Sequence, residues 1–160
     1  MLLLLVRHAE AGDRNASVYS DDSQRPLTGK GMKVQAKVSR RLRKRGVRPD
    51  LILSSPWVRA WQSATILAQG TRTEVAPVEC PPLATDPDIP SLAEAVGSRH
   101  PEEIVALVGH EPWMSELASL LLAGEPNKLA IDFPKSGVMG IEVSELAAGA
   151  GSLRFFLRPK

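Results

Sequence analysis

The sequence has little of several features that would point to a specialised class of protein. Among its 160 residues is one cysteine, Cys80, which excludes an internal disulfide and a metal site built from several thiolates, and which is typical of a reducing compartment. Its 20 basic and 18 acidic residues leave a net charge of only +2, so overall charge gives no reason to expect a nucleic-acid or membrane partner. No apolar run approaches the ~18 residues required to span a bilayer.

The apolar start of the chain, residues 1–6, predicts a strand rather than an export signal. No basic segment precedes it, and Arg7 and His8 follow at once. A short, continuous apolar run is typical of a strand covered on both faces in a parallel sheet. We therefore expect a cytoplasmic protein with one domain spanning residues 1–160.

Alternating strands and helices predict an α/β protein, a three-layer sandwich whose mainly parallel sheet is flanked by helices. The predicted strands cover residues 2–6, 51–53, 74–78, 104–108, 138–143 and 153–157, and the last two are expected to form an antiparallel hairpin at one edge. The first predicted helix runs from an N-cap at Thr28 to about Arg45, with a stop at Gly46. The second covers residues 58–69 with a stop at Gly70, the third covers 91–96 with Ser91 as its cap, and the fourth covers 113–122. On the first helix, one face carries Met32, Gln35, Val38 and Leu42.

Three strand ends carry the residues that indicate chemistry. Ligands of open α/β sheets bind at the carboxyl ends of the strands. Here those ends carry Arg7 and His8, then Arg59 beyond the second strand, then His110. The set suits phosphoryl transfer, in which a protein positions an in-line nucleophile and neutralises the equatorial oxygens. Arginines offer planar bidentate donors, and a protonated His110 would add a third cationic contact, so no metal or other cofactor is expected.

His8 has the chemistry of a nucleophile. A neutral imidazole can attack phosphorus through one ring nitrogen while a backbone carbonyl accepts a hydrogen bond from the other and fixes the tautomer. Water would then hydrolyse the resulting phosphoenzyme.

Four segments in this order resemble the histidine phosphatase superfamily: Arg7-His8-Ala9-Glu10, Arg25-Pro26-Leu27-Thr28 with Gly31, Ser54-Ser55-Pro56 with Arg59, Ala60 and Ser63, and Gly109-His110. The resemblance implies a phosphoglycerate-mutase-like fold. It also implies that His8 is the nucleophile and that Arg7, Arg59 and His110 bind the phosphate.

Within the superfamily, the chain is most similar to the SixA-type phosphohistidine phosphatases. It has no room for the long inserted lid of larger members, so we expect an open pocket that a protein-borne phosphate can reach. Many small-molecule members carry a glutamate proton donor in a Leu-x-Glu segment, where this chain has Leu83, Ala84 and Thr85. Imidazole is a far better leaving group than an alkoxide and depends less on a dedicated acid. The missing acid therefore favours a phosphohistidine substrate, by resemblance on a phosphotransfer domain of a signalling relay.

Other interpretations stay open at this point. Asp86 or Asp88 could replace the missing acid, which would fit a phosphatase of small phosphorylated metabolites. A non-catalytic module could bind phosphate, or bind nucleic acid through the nine basic residues between Lys30 and Arg48. A solvated helix face is the preferred interpretation of those basic residues, and steering of an acidic phosphoprotein is a third.

Four further residues, two tryptophans, a glutamate and a histidine, each allow more than one interpretation. Trp57 and Trp61 share one face of the second helix, either filling the core beneath the site or, for at least one of them, lining the pocket rim. We expect Glu10 to support its loop or pair with an arginine, and His100 to be a surface residue.

Overall fold

Six strands form one mixed sheet in a computed structural model of the chain, which describes residues 1–14 and 18–160. The strands, in chain order, are β1 (Leu2–Arg7), β2 (Leu51–Ser54), β3 (Val78–Glu79), β4 (Ile104–Gly109), β5 (Val138–Val143) and β6 (Gly151–Leu157). Their spatial order is β3-β2-β4-β1-β5-β6. The first four run parallel, whereas β5 pairs antiparallel with both β1 and the edge strand β6.

Helices cover both faces of this sheet. The helices are α1 (Gly29–Lys44), α2 (Val58–Thr71), α3 (Ile89–Val96) and α4 (Trp113–Ala123). Successive residues of β1 point to opposite faces, so Leu4 and Val6 pack with residues of α1 and α2. Leu3 and Leu5 pack with residues of α3 and α4. The predicted three-layer α/β class is confirmed, and none of the helices in the described residues is long and apolar enough to cross a membrane.

Helix α1 begins and ends where its sequence signals predict. The hydroxyl of Thr28 accepts a hydrogen bond from the backbone N–H of Gly31 at 2.9 Å, and Gly46 lies just beyond the helix with a φ of +74°. The prediction for Met32 is wrong, because its side chain is 41% exposed. In this first turn it is Gly31 that faces inward, so close to the Glu10 backbone that a Cβ would lie 2.2 Å from the Glu10 carbonyl oxygen.

Gly70 lies inside α2 and does not end it, contrary to the prediction. The helix continues to Thr71, and Arg72 adopts the left-handed conformation that ends it. Gly70 is required for a different reason: a Cβ there would lie 2.3 Å from the Cβ of Ser39 on α1. This glycine allows the two helices to pack closely.

Two other boundaries differ from the predictions. Helix α3 is capped by Asp88 and not by Ser91, because the Asp88 carboxylate accepts a hydrogen bond from the Ser91 N–H at 2.7 Å. Strand β3 is shorter and later than predicted, since only Val78 and Glu79 pair with the end of β2.

Replacing Gly70 with alanine should destabilise the protein. The added methyl group must push α1 and α2 apart, and overpacking of this kind typically costs about 1–3 kcal/mol. Gly29→Ala is the matched control, because a Cβ at this helical glycine meets no atom within 4 Å. Urea unfolding of both variants tests the prediction, and equal stabilities would contradict it.

Candidate active site

The register between β1 and β4 places the two candidate histidines side by side. Arg7 pairs with Gly109 at the carboxyl ends of these parallel strands, so His8 and His110 follow at the same level of the sheet. Their ring centroids lie 5.2 Å apart, and each residue is only 6% exposed. Arg7 and Arg59 join them, so all four residues predicted from the sequence come together.

The tautomer of His8 is set by its neighbour. Its Nδ1 lies 2.6 Å from the carbonyl oxygen of Ala9, and since a carbonyl can only accept, Nδ1 carries the proton. Burial lowers the pKa of His8 to about 3, and the nearby His110, Arg59 and Arg7 act in the same direction, while the bond to Ala9 opposes them. At neutral pH the ring is therefore uncharged and Nε2 has a free lone pair.

Each of the two arginines is held in place by hydrogen bonds from its terminal Nη atoms. Arg7 donates from Nη1 to the carbonyl of Phe133 at 2.6 Å. Arg59 donates from Nη1 to the Asp22 carbonyl at 2.8 Å and from Nη2 to the Asp22 carboxylate at 3.0 Å. The Nε of each arginine is buried and has no hydrogen-bond partner in the part of the chain that the structure describes.

On His110, too, one nitrogen has a hydrogen-bond partner and the other has none among the described residues. Its Nε2 lies 2.8 Å from the hydroxyl of Ser55, whereas its Nδ1 is buried with no partner among the described residues. A buried polar atom left without a partner costs about 1–3 kcal/mol. Arg7 Nε, Arg59 Nε and His110 Nδ1 are thus three buried polar atoms without a partner in the described part of the chain, all on residues that the sheet brings together.

At neutral pH His110 is uncharged, so it does not supply a third permanent cation. Burial and the positive charge of Arg59 together lower its pKa to about 4, and Asp22 partly opposes both. A bound phosphate dianion would favour protonation of this imidazole by its opposite charge.

Sequence reasoning missed Asp22, and it named Arg25 only as part of a motif, without a role in the site. Asp22 lies in a short 3-10 turn, Asp22–Gln24, and its carboxylate accepts from Arg25 Nε and Arg59 Nη2, both at 3.0 Å. Burial alone would raise the pKa of Asp22, but the two arginines outweigh it and lower the pKa. The three-residue spacing of Asp22 and Arg25 was an available signal. The contact with Arg59 was not, because 37 residues separate it from Asp22.

An open cavity of about 670 Å³ is lined by Arg59, His110 and Asp22. His8 and Arg7 are not among its lining residues, and the ring of His8 lies next to that of His110. Trp57 forms part of the wall, with its ring centroid 4.8 Å from that of His110 and 4.6 Å from the guanidinium carbon of Arg59. Trp57 therefore lines the pocket, and neither Trp57 nor Trp61 belongs to the two buried core clusters.

The structure separates the two carboxylates that could replace the missing acid. Ala84, Thr85 and Asp86 line the cavity. Asp88 is outside this lining and its carboxylate caps α3, a bond that lowers its pKa. Only Asp86 of the two is placed to meet a leaving group.

The other residues singled out in the sequence lie outside the catalytic cluster. Glu10 accepts from the Thr28 hydroxyl at 3.1 Å and lies 3.7 Å from Lys30 Nζ, so it supports the loop and pairs with a lysine rather than an arginine. His100 is exposed, as expected. Lys37 and Arg41, on the basic face of α1, donate to backbone carbonyls of the C-terminal segment, those of Lys160 and Arg158.

Comparison with known proteins gives three kinds of similarity. The model of the histidine phosphatase superfamily (branch 1) matches residues 3–80, which include His8 and Arg59. An uncharacterized protein of Picosynechococcus sp. is 32% identical over 144 residues, which cover 88% of this chain and 84% of the relative. The solved structure of the protein histidine phosphatase SixA complexed with tungstate has a TM-score of 0.78 at 22% identity, over 99% of this chain and 97% of that one.

A phosphoserine phosphatase variant of Entamoeba histolytica in complex with phosphoserine has a TM-score of 0.64 at 17% identity, over 97% of this chain and 95% of that one. At these identities the two structural likenesses show the fold.

The buried neutral histidines should make stability depend on pH. Their folded pKa values, about 3 for His8 and about 4 for His110, lie below the ordinary value of 6.5. Below that value the unfolded chain binds protons that the folded chain excludes. This contribution is therefore complete above pH 6.5 and is lost as the pH falls toward 4 and 3, at up to about 1.4 kcal/mol per pH unit for each histidine.

Urea unfolding between about pH 7 and about pH 5 measures this loss. His110→Gln should lose less stability over the interval than the parent protein, whereas His100→Gln, at an exposed position, should behave like the parent. Parallel curves for all three proteins would contradict the burial of a neutral His110.

Asp22→Asn should weaken oxyanion binding by roughly tenfold, the scale of one charge-assisted hydrogen bond, because Arg59 loses the carboxylate that orients it. Calorimetric titration with tungstate measures the change. Asp21→Asn is the matched control, since the neighbouring Asp21 carboxylate contacts Ser23 and neither arginine. Unchanged or tighter binding by Asp22→Asn would mean that Asp22 competes with the ligand instead of positioning Arg59.

Proposed function

The chain belongs to the histidine phosphatase superfamily, and from this membership we propose that it hydrolyses phosphohistidine on a protein, passing the phosphoryl group through His8. The observation that carries the proposal is the set of three buried polar atoms without partners, on Arg7, Arg59 and His110, beside a neutral His8. The two guanidinium nitrogens, and the His110 nitrogen once that ring is protonated, can donate to the phosphoryl oxygens, and the His8 lone pair can attack phosphorus.

In the first step, the Nε2 lone pair of His8 forms a bond to phosphorus. The bond from phosphorus to the substrate nitrogen breaks, its electron pair stays on that nitrogen, and the substrate leaves as an imidazole. Arg7, Arg59 and His110 neutralise charge on the equatorial oxygens. Positive charge that develops on the His8 ring is stabilised by the Ala9 carbonyl, which already accepts from Nδ1 at 2.6 Å.

In the second step, a water molecule attacks the phosphorus of phospho-His8. The electron pair of the Nε2 to phosphorus bond returns to the ring, which again leaves as a neutral imidazole, and inorganic phosphate is released. The low pKa of His8, about 3, favours its return to the neutral form. It also keeps the nucleophile ready for the next turnover at neutral pH.

The leaving-group side of the cavity supports a phosphohistidine substrate. No carboxylate stands at residues 83–85, and Asp86 is an exposed residue of the rim. A protonated phosphohistidine releases neutral imidazole, whose conjugate acid has a pKa of about 6.5, so it needs little help from an enzyme acid. An alkoxide leaving group would depend on an unpaired carboxyl group of the cavity lining, Asp86 or Glu116.

A phosphatase of small phosphorylated metabolites is the second candidate. The position of Asp86 in the cavity lining favours it, because a carboxyl group there could protonate an alkoxide. A nucleic-acid-binding role has less support, since Lys37 and Arg41 on the basic face of α1 are engaged by the C-terminal segment.

Comparing leaving groups separates the two candidates. The parent enzyme should hydrolyse a phosphohistidine protein at least 100-fold faster than a panel of alkyl phosphates, because the general acid that alkoxides need contributes on the order of 10²–10⁴-fold. Asp86→Asn should leave the phosphohistidine kcat within about threefold of the parent value, far from the loss on the order of 10²–10⁴-fold that removal of a required general acid causes. Asp88→Asn is the control for altered charge near the site, since Asp88 caps α3 outside the cavity.

One result would favour a phosphatase of small metabolites over a phosphohistidine phosphatase. An alkyl phosphate would have to be hydrolysed as fast as phosphohistidine, with that rate lost in Asp86→Asn and kept in Asp88→Asn.

A further inference from the structure

The catalytic cavity continues into a groove along α4. A second cavity, of about 290 Å³, shares three lining residues with the first: Asp86, Trp113 and Glu116. The second cavity extends to Pro126 and Asn127 beyond the end of α4. The two cavities together form an open path that leads away from His110, which we call the α4 groove.

One face of α4 forms a wall of this groove. Trp113, Glu116, Leu117 and Leu120 all line it, and their spacing of three, four and seven residues puts them on one face of the helix. At a rise of 1.5 Å per residue, the wall extends about 10 Å from the catalytic end. That length exceeds a single phosphorylated side chain and suits a segment of polypeptide lying beside the helix.

The charges of the groove change sign along its length. Arg59 and His110 line the catalytic end, which also holds Arg14. The carboxylates of Asp86 and Glu116 lie where the two cavities meet, since both residues line both cavities. Neither carboxylate has a hydrogen bond or ion pair with any residue in the described ranges. Other carboxylates of the site are engaged, Asp22 by two arginines and Glu111 by Ser115. The groove therefore offers cationic groups to an anion at its catalytic end, and two unpaired carboxylates to a cation where the two cavities meet.

We propose that the α4 groove docks the segment of the partner protein that carries the phosphohistidine, and that it selects segments with a lysine or arginine about one helical turn from that histidine. This inference rests on the proposed function and adds the recognition chemistry. The phosphoryl group lies against Arg7, Arg59 and His110, and the basic side chain reaches Asp86 and Glu116. A small anionic metabolite would gain nothing from the two carboxylates and would be repelled by them.

The spacing follows from α4 itself. Trp113 is the first residue of α4, just after His110, and Glu116 lies three residues farther. The Glu116 position is therefore about one turn, roughly 5 Å, along the helix from its catalytic end. A partner helix lying beside α4 presents side chains at the same interval when they are four residues apart. The basic residue is therefore expected four positions from the phosphohistidine.

Synthetic helical peptides test this directly. Three peptides of one sequence carry lysine, glutamine or glutamate four residues from a single histidine, and phosphoramidate phosphorylates that histidine; free phosphohistidine is the fourth substrate. The lysine peptide should exceed the glutamate peptide in kcat/KM by about tenfold at low salt, with the difference in KM, and the preference should shrink at high salt.

Charge reversal on the enzyme completes the test. Glu116→Lys should abolish or invert the preference between the two charged peptides, whereas Glu145→Gln, at an exposed position in the turn between β5 and β6, should keep the parent preference. Thermal unfolding of each variant checks that it is folded. Loss of all activity in Glu116→Lys is resolved by Glu116→Gln, for which the preference should fall by about threefold.

The outcomes distinguish the two proposals. Turnover of free phosphohistidine without any preference among the peptides overturns the groove proposal and leaves the proposed function standing. Turnover of alkyl phosphates with none of the phosphohistidine substrates overturns the proposed function and the groove proposal with it. A preference for the glutamate peptide would contradict the proposal that Asp86 and Glu116 bind a basic side chain of the partner.

Discussion

The pairing of β1 with β4 is the constraint on which the site depends. Arg7 is opposite Gly109, so the residues that follow, His8 and His110, leave the sheet at the same level and on neighbouring strands. Gly109 is itself constrained, because a Cβ there would lie 2.0 Å from the Trp113 ring. A shift of one residue in this register would turn the alternating leucines of β1 to the wrong layers and separate the two histidines.

Because that register brings several basic side chains together, it also determines their charge states. Two imidazoles and two guanidinium groups packed together repel each other when all are protonated, and the burial of the histidines adds to this cost. The site resolves the conflict by keeping both histidines neutral, with pKa values of about 3 and 4, and by attaching Arg59 to the Asp22 carboxylate. The same arrangement places a neutral nucleophile beside two guanidinium groups whose Nε atoms lack partners among the described residues, a combination suited to binding an anion.

The sequence predicts those parts of the molecule that depend on local signals. The apolar run of β1, the Thr28 cap and the chemistry at the strand ends were sufficient for the fold class and for bringing together His8, Arg7, Arg59 and His110. The prediction that a backbone carbonyl fixes the His8 tautomer is confirmed by its contact with Ala9.

The parts that could not be predicted depend on tertiary contacts. Gly70 looked like a helix stop, although its role is close approach to Ser39 on another helix. Asp22 could not be predicted as a site residue, because nothing local indicates that the chain folds back to bring it to Arg59. The protonation of His110 depends on its burial and on the surrounding arginines, both of which require the folded structure.

Trapping of the phosphoenzyme tests the central claim, His8 as nucleophile, most directly. After brief mixing with a radiolabelled phosphohistidine donor and quenching in alkali, the protein should carry an acid-labile, alkali-stable label on His8, and the label should be absent from His8→Ala. His110→Ala should still be labelled, more slowly. A label that persists in His8→Ala, or one that is found on another residue, would contradict this account.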